Sequence, residues 1–172
     1  MIGMMGAGKS AVGSAVAELL EVPFLDTDAE IERAANTTIA EIFARNGEAF
    51  FRERESRILT RLMEGPPVIL STGGGVYMSQ ANRRVISARG AALWLRADLD
   101  ILWSRVQFNT ERPLLRVDDP KARLAELLEA RTPAYAEADL VVDAWPDLSI
   151  DAMAERVVDR LGERSDVLRR GV

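Results

Sequence analysis

The sequence predicts a parallel α/β fold in one domain, and three observations carry that reading. Apolar runs at 22–25, 68–71, 91–95 and 140–142 alternate with segments of helical period. A glycine-rich loop, Gly3 to Gly8, lies between an apolar start, Met1-Ile2, and a long amphipathic segment. That is the order expected where a strand feeds a helix. The length of 172 residues suits a single domain, with 48% apolar and 28% charged residues.

Taken in order, Met1-Ile2 reads as the end of a first strand. It is short, so either this strand is trimmed here or its true start lies upstream. A helix is expected over 9–20 and a second strand over 22–25. Thr38 and Glu41 form a capping-box pair ahead of a short helix, and 48–63 carries alternating charge along an exposed helical face. Strands at 68–71 and 91–95 follow. Asp98 caps a helix to about residue 107, and Asp119-Pro120 places a cap and an N1 proline ahead of a helix to about 135. After the strand at 140–142, Ile150, Met153, Ala154, Val157, Val158 and Leu161 share one helical face. The domain is expected over 1–162, with 163–172 a polar, frayed tail. Residues 108–119 form the one long non-periodic connection and are expected to act as a lid.

Composition removes several function classes. Cysteine and histidine are both absent. Disulfides, thiolate metal sites and histidine-based triads or general bases are therefore excluded. A general base must be a carboxylate, lysine or tyrosine. The formal net charge of −5 gives no footprint for nucleic acid. No apolar stretch is long enough to span a bilayer, and no signal peptide is visible. A cytoplasmic monomer is the expectation.

The loop Gly3-Met4-Met5-Gly6-Ala7-Gly8-Lys9-Ser10 matches G-x-x-x-x-G-K-S without a mismatch. Its glycines let backbone N–H groups converge on phosphate oxygens, and the following helix points its positive end at the same anion. Lys9 reaches the β- and γ-phosphates, and the Ser10 hydroxyl can ligate Mg²⁺. Gly6, Ala7, Gly8, Lys9, Ser10 and Ala11 are the candidate nucleotide-binding residues. A chance glycine turn is the competing explanation, and it does not account for the apolar start and long helix on either side. The loop implies nucleotide binding without naming a reaction. No N/T-K-x-D guanine motif is present, and the chain is too short for a large motor ATPase, so a small-molecule or nucleotide kinase fits best.

Three further features narrow that class. Asp26-Thr27-Asp28 lies at the end of the second strand, where doubly wound sheets bind ligands. On an extended segment both carboxylates point the same way, one toward Mg²⁺ and one toward a substrate hydroxyl. A helix cap plus a first-turn acid explains the pair equally well. Ser71-Thr72-Gly73-Gly74-Gly75 ends the third strand, and a flexible turn explains one of its glycines better than three. Arginines recur in Phe51-Arg52-Glu53-Arg54-Glu55, in Arg112-Pro113-Leu114-Leu115 and in Arg131-Thr132-Pro133-Ala134-Tyr135. A bidentate arginine suits a carboxylate or phosphate, although a solvated helix face explains any one of them.

In order and spacing, the phosphate loop, D-x-D, F-R-x-x-E, G-G-G, R-P-L-L and R-x-x-x-Y resemble the shikimate kinase family over nearly the whole chain. The resemblance implies ATP-dependent phosphorylation of the 3-hydroxyl of shikimate, with ATP and Mg²⁺. It implies a P-loop kinase fold whose five-stranded parallel sheet has the order 2-3-1-4-5, with a substrate-binding helical segment near 31–62. It also implies roles. Lys9 binds phosphate, and Ser10 with Asp26 serves Mg²⁺. Asp28 holds the acceptor hydroxyls as candidate base. Arg52 and Arg131 clamp the shikimate carboxylate, with Glu55 orienting Arg52. Gly73, Gly74 and Gly75 approach the acceptor through backbone. Arg112 meets the transferring phosphate, and Arg105 packs on adenine. The stretch 142–147, Val-Asp-Ala-Trp-Pro-Asp, departs from the family's threonine-bearing adenine loop, and no base contact is assigned there. Two rival readings are a small-metabolite kinase resembling gluconate kinase and a catalytically idle kinase-like binding module.

Overall fold

The computed structural model describes residues 1–108, 113–145 and 147–168. Helix α1 (Lys9–Leu19) starts directly from the glycine loop. Its N-cap, Gly8, is left-handed at φ 95°, and no side chain caps the helix. The N-terminus is thus left open to an external anion. α1 buries Val12, Val16 and Ala17 and packs against α7 (Ile150–Leu161). α7 buries Met153, Ala154, Val157 and Leu161, the face marked by its apolar spacing, and Ser149 caps it by accepting from Ala152 N.

Strand β1 (Phe24–Asp26) pairs in parallel with β2 (Ile69–Ser71), placing Asp26 beside Ser71. Strand β3 (Leu93–Arg96) pairs in parallel with β4 (Leu140–Asp143). Met1 and Ile2 carry bonds to both pairs. The Met1 carbonyl accepts from Thr72 N at 3.1 Å, and Met1 N donates to Leu70 O. Ile2 N donates to Leu93 O at 2.8 Å, and Leu95 N donates to Ile2 O at 3.0 Å. The expected first strand is therefore a single bridge, Ile2 to Trp94. β1 begins later than 22 because Pro23 has no N–H to give; it contributes only its carbonyl, to Ile69 N at 2.9 Å. β3 and β4 each run one residue further than expected, closed by Arg96 and Asp143, which pair at 2.5 and 2.9 Å.

The segment after β1 corrects one expectation. Residues 27–35 are helix α2 (Thr27–Ala35), not extended chain. Asp26 is both the last residue of β1 and the N-cap of α2, its Oδ1 accepting from Asp28 N at 3.0 Å. The two carboxylates are thus placed by a cap and a first helical turn, not by strand alternation.

Helix α3 (Ile39–Met63) opens on the expected capping box of Thr38 and Glu41. Gly47 breaks it at φ 79°, ψ 175°, so a second helical segment starts at Glu48. Ile31, Ile42 and Phe51 form a small core between α2 and α3, separate from the main core. A 3-10 turn (Val76–Met78) and helix α4 (Gln80–Arg89), which the sequence reading did not anticipate, follow β2. Helix α5 (Leu99–Val106) is capped by Asp98, and α6 (Pro120–Tyr135) by Asp119 with Pro120 inside its first turn. Within 108–119, Pro113–Leu115 forms a 3-10 turn, and 109–112 lie outside the described residues. In the 163–168 stretch, Arg164 donates to Asp139 at 3.0 Å and Leu168 packs on the main core. Among the described residues, no helix is long and apolar enough to cross a membrane.

Candidate active site

Both β1 and β2 end where their chains turn into site segments, and Ile2 leads straight into the glycine loop. The candidate residues therefore gather at one edge, the carboxyl ends of parallel strands. The nucleotide side comes almost wholly from local chain. Gly6 turns at φ 81°, and an added Cβ would lie 2.7 Å from Val106 and 3.0 Å from the Leu102 carbonyl. Only glycine lets the loop lie this close to α5. Lys9 Nζ donates to the carbonyls of Gly3 at 3.0 Å and Met4 at 2.9 Å, spanning the mouth of the loop. Arg105, from α5, donates through Nη1 to the carbonyls of Gly6 and Ala7 at 3.2 Å each. Ser10 and Ala11 lie exposed in the first turn of α1.

Ser10 Oγ donates to Asp26 Oδ2 at 3.0 Å. This oxygen pair suits a hard divalent cation that keeps most of its water and takes its remaining ligands from phosphate. Ser71, in register with Asp26 across β1 and β2, is buried, and its Oγ has no hydrogen-bond partner among the described residues. An unpartnered hydroxyl beside Asp26 fits a hydrated ion there. No cluster of three or more acidic side chains that could hold a metal unaided exists among the described residues.

The acceptor side is assembled from distant segments. Glu55 is buried on α3 and accepts from Arg52 Nη1 with both oxygens, at 3.1 and 2.8 Å. Burial pushes the Glu55 carboxyl up, and Arg52 opposes that push. Burial pulls the Arg52 guanidinium down, but its bonds to Glu55 and Glu48 leave it above its ordinary value. The paired contact of Nη1 with both Glu55 oxygens keeps the two groups charged. Gly75 leaves room for Arg52, because a Cβ there would lie 2.7 Å from the guanidinium carbon.

Arg131, on α6, is only 9% exposed, with Nη1 4.0 Å from Met4 Sδ. No carboxylate pairs with it among the described residues; Glu55 acts on it from longer range. Tyr135, one turn on, donates to Gly74 O at 2.6 Å and lies 3.9 Å from the same sulfur. A cleft of about 380 Å³ lies between these groups, with Glu48, Arg52, Glu55, Gly75 and Arg131 in its wall.

Asp28 stands between the two sides. Gly73 donates its N–H to Thr27 Oγ1 at 3.2 Å, and a Cβ on Gly73 would lie 2.8 Å from Asp28 Oδ1. Burial, and then Asp26, raise the Asp28 carboxyl above its ordinary range, while Lys9 and Arg52 pull it back.

The structure thus brings Gly6, Ala7, Gly8, Lys9, Ser10, Ala11, Asp26 and Arg105 together on one side. It brings Asp28, Arg52, Gly73, Gly74, Gly75 and Arg131 together on the other. Arg112 lies outside the described residues. Sequence reasoning assigned nothing to Glu48, Met4 or Ser71. Only Glu48 carried a signal, its i,i+4 spacing to Arg52. Tyr135 was part of a motif without a role of its own.

A family model described as shikimate kinase matches residues 5–162. The shikimate kinase of Cereibacter sphaeroides is 62% identical over 144 residues, covering 84% of this chain and 72% of that protein. The structure of shikimate kinase from Acinetobacter baumannii in complex with shikimate superposes with a TM-score of 0.89 at 36% identity, over 94% of this chain and 90% of that one. A gluconokinase from Sinorhizobium meliloti gives a TM-score of 0.56 at 20% identity, over 96% of this chain and 93% of that one, a likeness of fold alone. The match runs from the glycine loop through the last helix, and the chain belongs to the shikimate kinase family.

Proposed function

We propose that this chain transfers the γ-phosphoryl group of ATP to the 3-hydroxyl of shikimate through the two-sided site around Asp28. The observation that carries this reading is the position of that carboxylate. The Asp28 N–H is held at 3.0 Å by Asp26, whose other oxygen meets Ser10 on the nucleotide side, and Asp28 Oδ1 lies against Gly73 on the acceptor side. A group placed so can hold a hydroxyl of one substrate against the phosphate of the other.

Phosphoryl transfer needs positioning and charge neutralisation more than covalent chemistry. Lys9 and the amides of the glycine loop bind the phosphates, and Arg112 adds charge from the lid. Arg105, braced on the loop carbonyls, packs on adenine. Ser10 and Asp26 hold Mg²⁺, with Ser71 beside them; the ion supplies charge neutralisation on the phosphates. Arg52 and Arg131 take the shikimate carboxylate, and Gly73, Gly74 and Gly75 let the acceptor approach their backbone. Asp28 orients the 3-hydroxyl and accepts its proton. Orientation counts as much as proton removal there, because a loose transition state does not require early deprotonation.

The bonds of Met1 to β2 and of Ile2 to β3 support a single sheet of five parallel strands in the order 2-3-1-4-5, Met1-Ile2 being the first. Such a sheet would carry both substrate sides at one edge. The demand for ATP and a soluble acid supports a cytoplasmic setting, and nothing in the proposed site requires a second subunit.

Coupled measurement of ADP release tests the reading. ADP should appear with ATP, Mg²⁺ and shikimate together, and not with gluconate in place of shikimate. Equal release with gluconate, or none with shikimate, would overturn it.

A further inference from the structure

Arg52 has two donor edges, and carboxylates of its own helix take both. Nη1 is committed to Glu55. Nε and Nη2 both donate to one oxygen of Glu48, at 3.3 and 3.2 Å. The Nε–Nη2 edge is a planar fork that matches an incoming carboxylate.

The two glutamates are not equivalent. The Glu55 side chain is 2% exposed, and parting it from Arg52 would strand a buried charge. The Glu48 side chain is 66% exposed, and its partner is Arg52 alone among the described residues. An exposed pair at i,i+4 contributes little, so Glu48 can swing into water at small cost. It follows the Gly47 break directly and so stands at the start of the second segment of α3, one turn ahead of Arg52. In the cleft wall, Glu48 and Glu55 balance Arg52 and Arg131. An anionic acceptor gains a net positive cleft only when one carboxylate leaves, and Glu48 is the one free to do so.

We propose that Glu48 is a built-in competitor for Arg52 that sets how tightly the acceptor cleft binds a carboxylate-bearing alcohol. Its carboxylate holds the Nε–Nη2 edge of Arg52 until an acceptor carrying its own carboxylate displaces it into solvent. An anionic alcohol exchanges one ion pair for another. A neutral alcohol has nothing to offer Arg52 and leaves the edge closed. The proposal rests on the reading of Arg52 as the carboxylate clamp.

Calorimetric titration of the full chain with shikimate, and with its neutral methyl ester, tests both levels. Glu48→Gln should tighten shikimate binding about two- to fivefold. It should lower the KM for shikimate, and leave the ester and ATP affinities unchanged. Arg52→Ala should weaken shikimate binding, and in the double variant the gain from Glu48→Gln should vanish. If Arg52→Ala weakens shikimate but Glu48→Gln does not tighten it, the competition is overturned and the clamp stands. Tightening of shikimate and ester alike also overturns it. If Arg52→Ala leaves shikimate affinity unchanged, the clamp falls and the proposal with it.

Discussion

The nucleotide side and the acceptor side of this site are built in different ways. The nucleotide side is nearly continuous chain: residues 3–11 form a loop and one helical turn, braced by Asp26 and Arg105. It presents backbone amides and one lysine, arranged by glycine geometry. The acceptor side joins α2, α3, the turn after β2, and α6 through side-chain ion pairs and close backbone approaches. A local site is set by backbone conformation and tolerates few residue types. A dispersed site depends on where whole elements pack, and its Arg52 is already held by Glu48 and Glu55 before any ligand arrives.

The largest expected effect separates the two sides. Lys9→Ala removes the cation that spans the loop carbonyls, and turnover should fall by about 10²- to 10³-fold. Shikimate affinity, measured by titration, should hold. Loss of shikimate binding in that variant would show that the two sides are not independent.

The second effect lies at the junction. Asp28→Asn should cut turnover by about 10²-fold or more, as expected on losing a positioned base. Its effect on stability has the opposite sign. The folded protein holds the Asp28 proton more tightly than the unfolded chain, because burial and Asp26 raise this carboxyl above 3.8. Its contribution to stability is greatest below 3.8 and falls as pH rises through the raised folded value. Asp28→Asn should therefore raise the melting temperature at pH 7 and give no gain below pH 3.8. A lowered melting temperature at pH 7 would contradict the burial argument.

The smallest effect probes the acceptor side alone. Tyr135→Phe removes the 2.6 Å bond to Gly74 O and leaves that carbonyl without its donor. Urea unfolding should show a loss of about 1–2 kcal/mol. Shikimate affinity should weaken by less than about tenfold, with ATP affinity unchanged. An unchanged unfolding curve would mean that Tyr135 does not secure the glycine turn.

Much of this was legible in the residues. The phosphate loop, the Thr38–Glu41 capping box, the Asp98 and Asp119 caps and the apolar face of α7 follow from spacing along the chain. The D-x-D pair was legible only as two alternatives. The structure shows that the cap geometry itself carries both carboxylates into the site, since Asp26 Oδ1 caps α2 while its Oδ2 meets Ser10. Helix α4 escaped notice because it buries only Asn82 and Ile86, too few to mark a face.

The sequence by itself determined the phosphate loop and the succession of strand and helix, because those depend on interactions within a few residues. Only the tertiary structure decided that Arg131 reaches the Met4 sulfur across 127 positions, that Gly75 faces Arg52, and that Glu48 rather than Glu55 is the carboxylate free to leave. Those outcomes turn on burial and on which elements meet. Two glutamates on one helix, four and three residues from the same arginine, differ in how much water packing leaves around them.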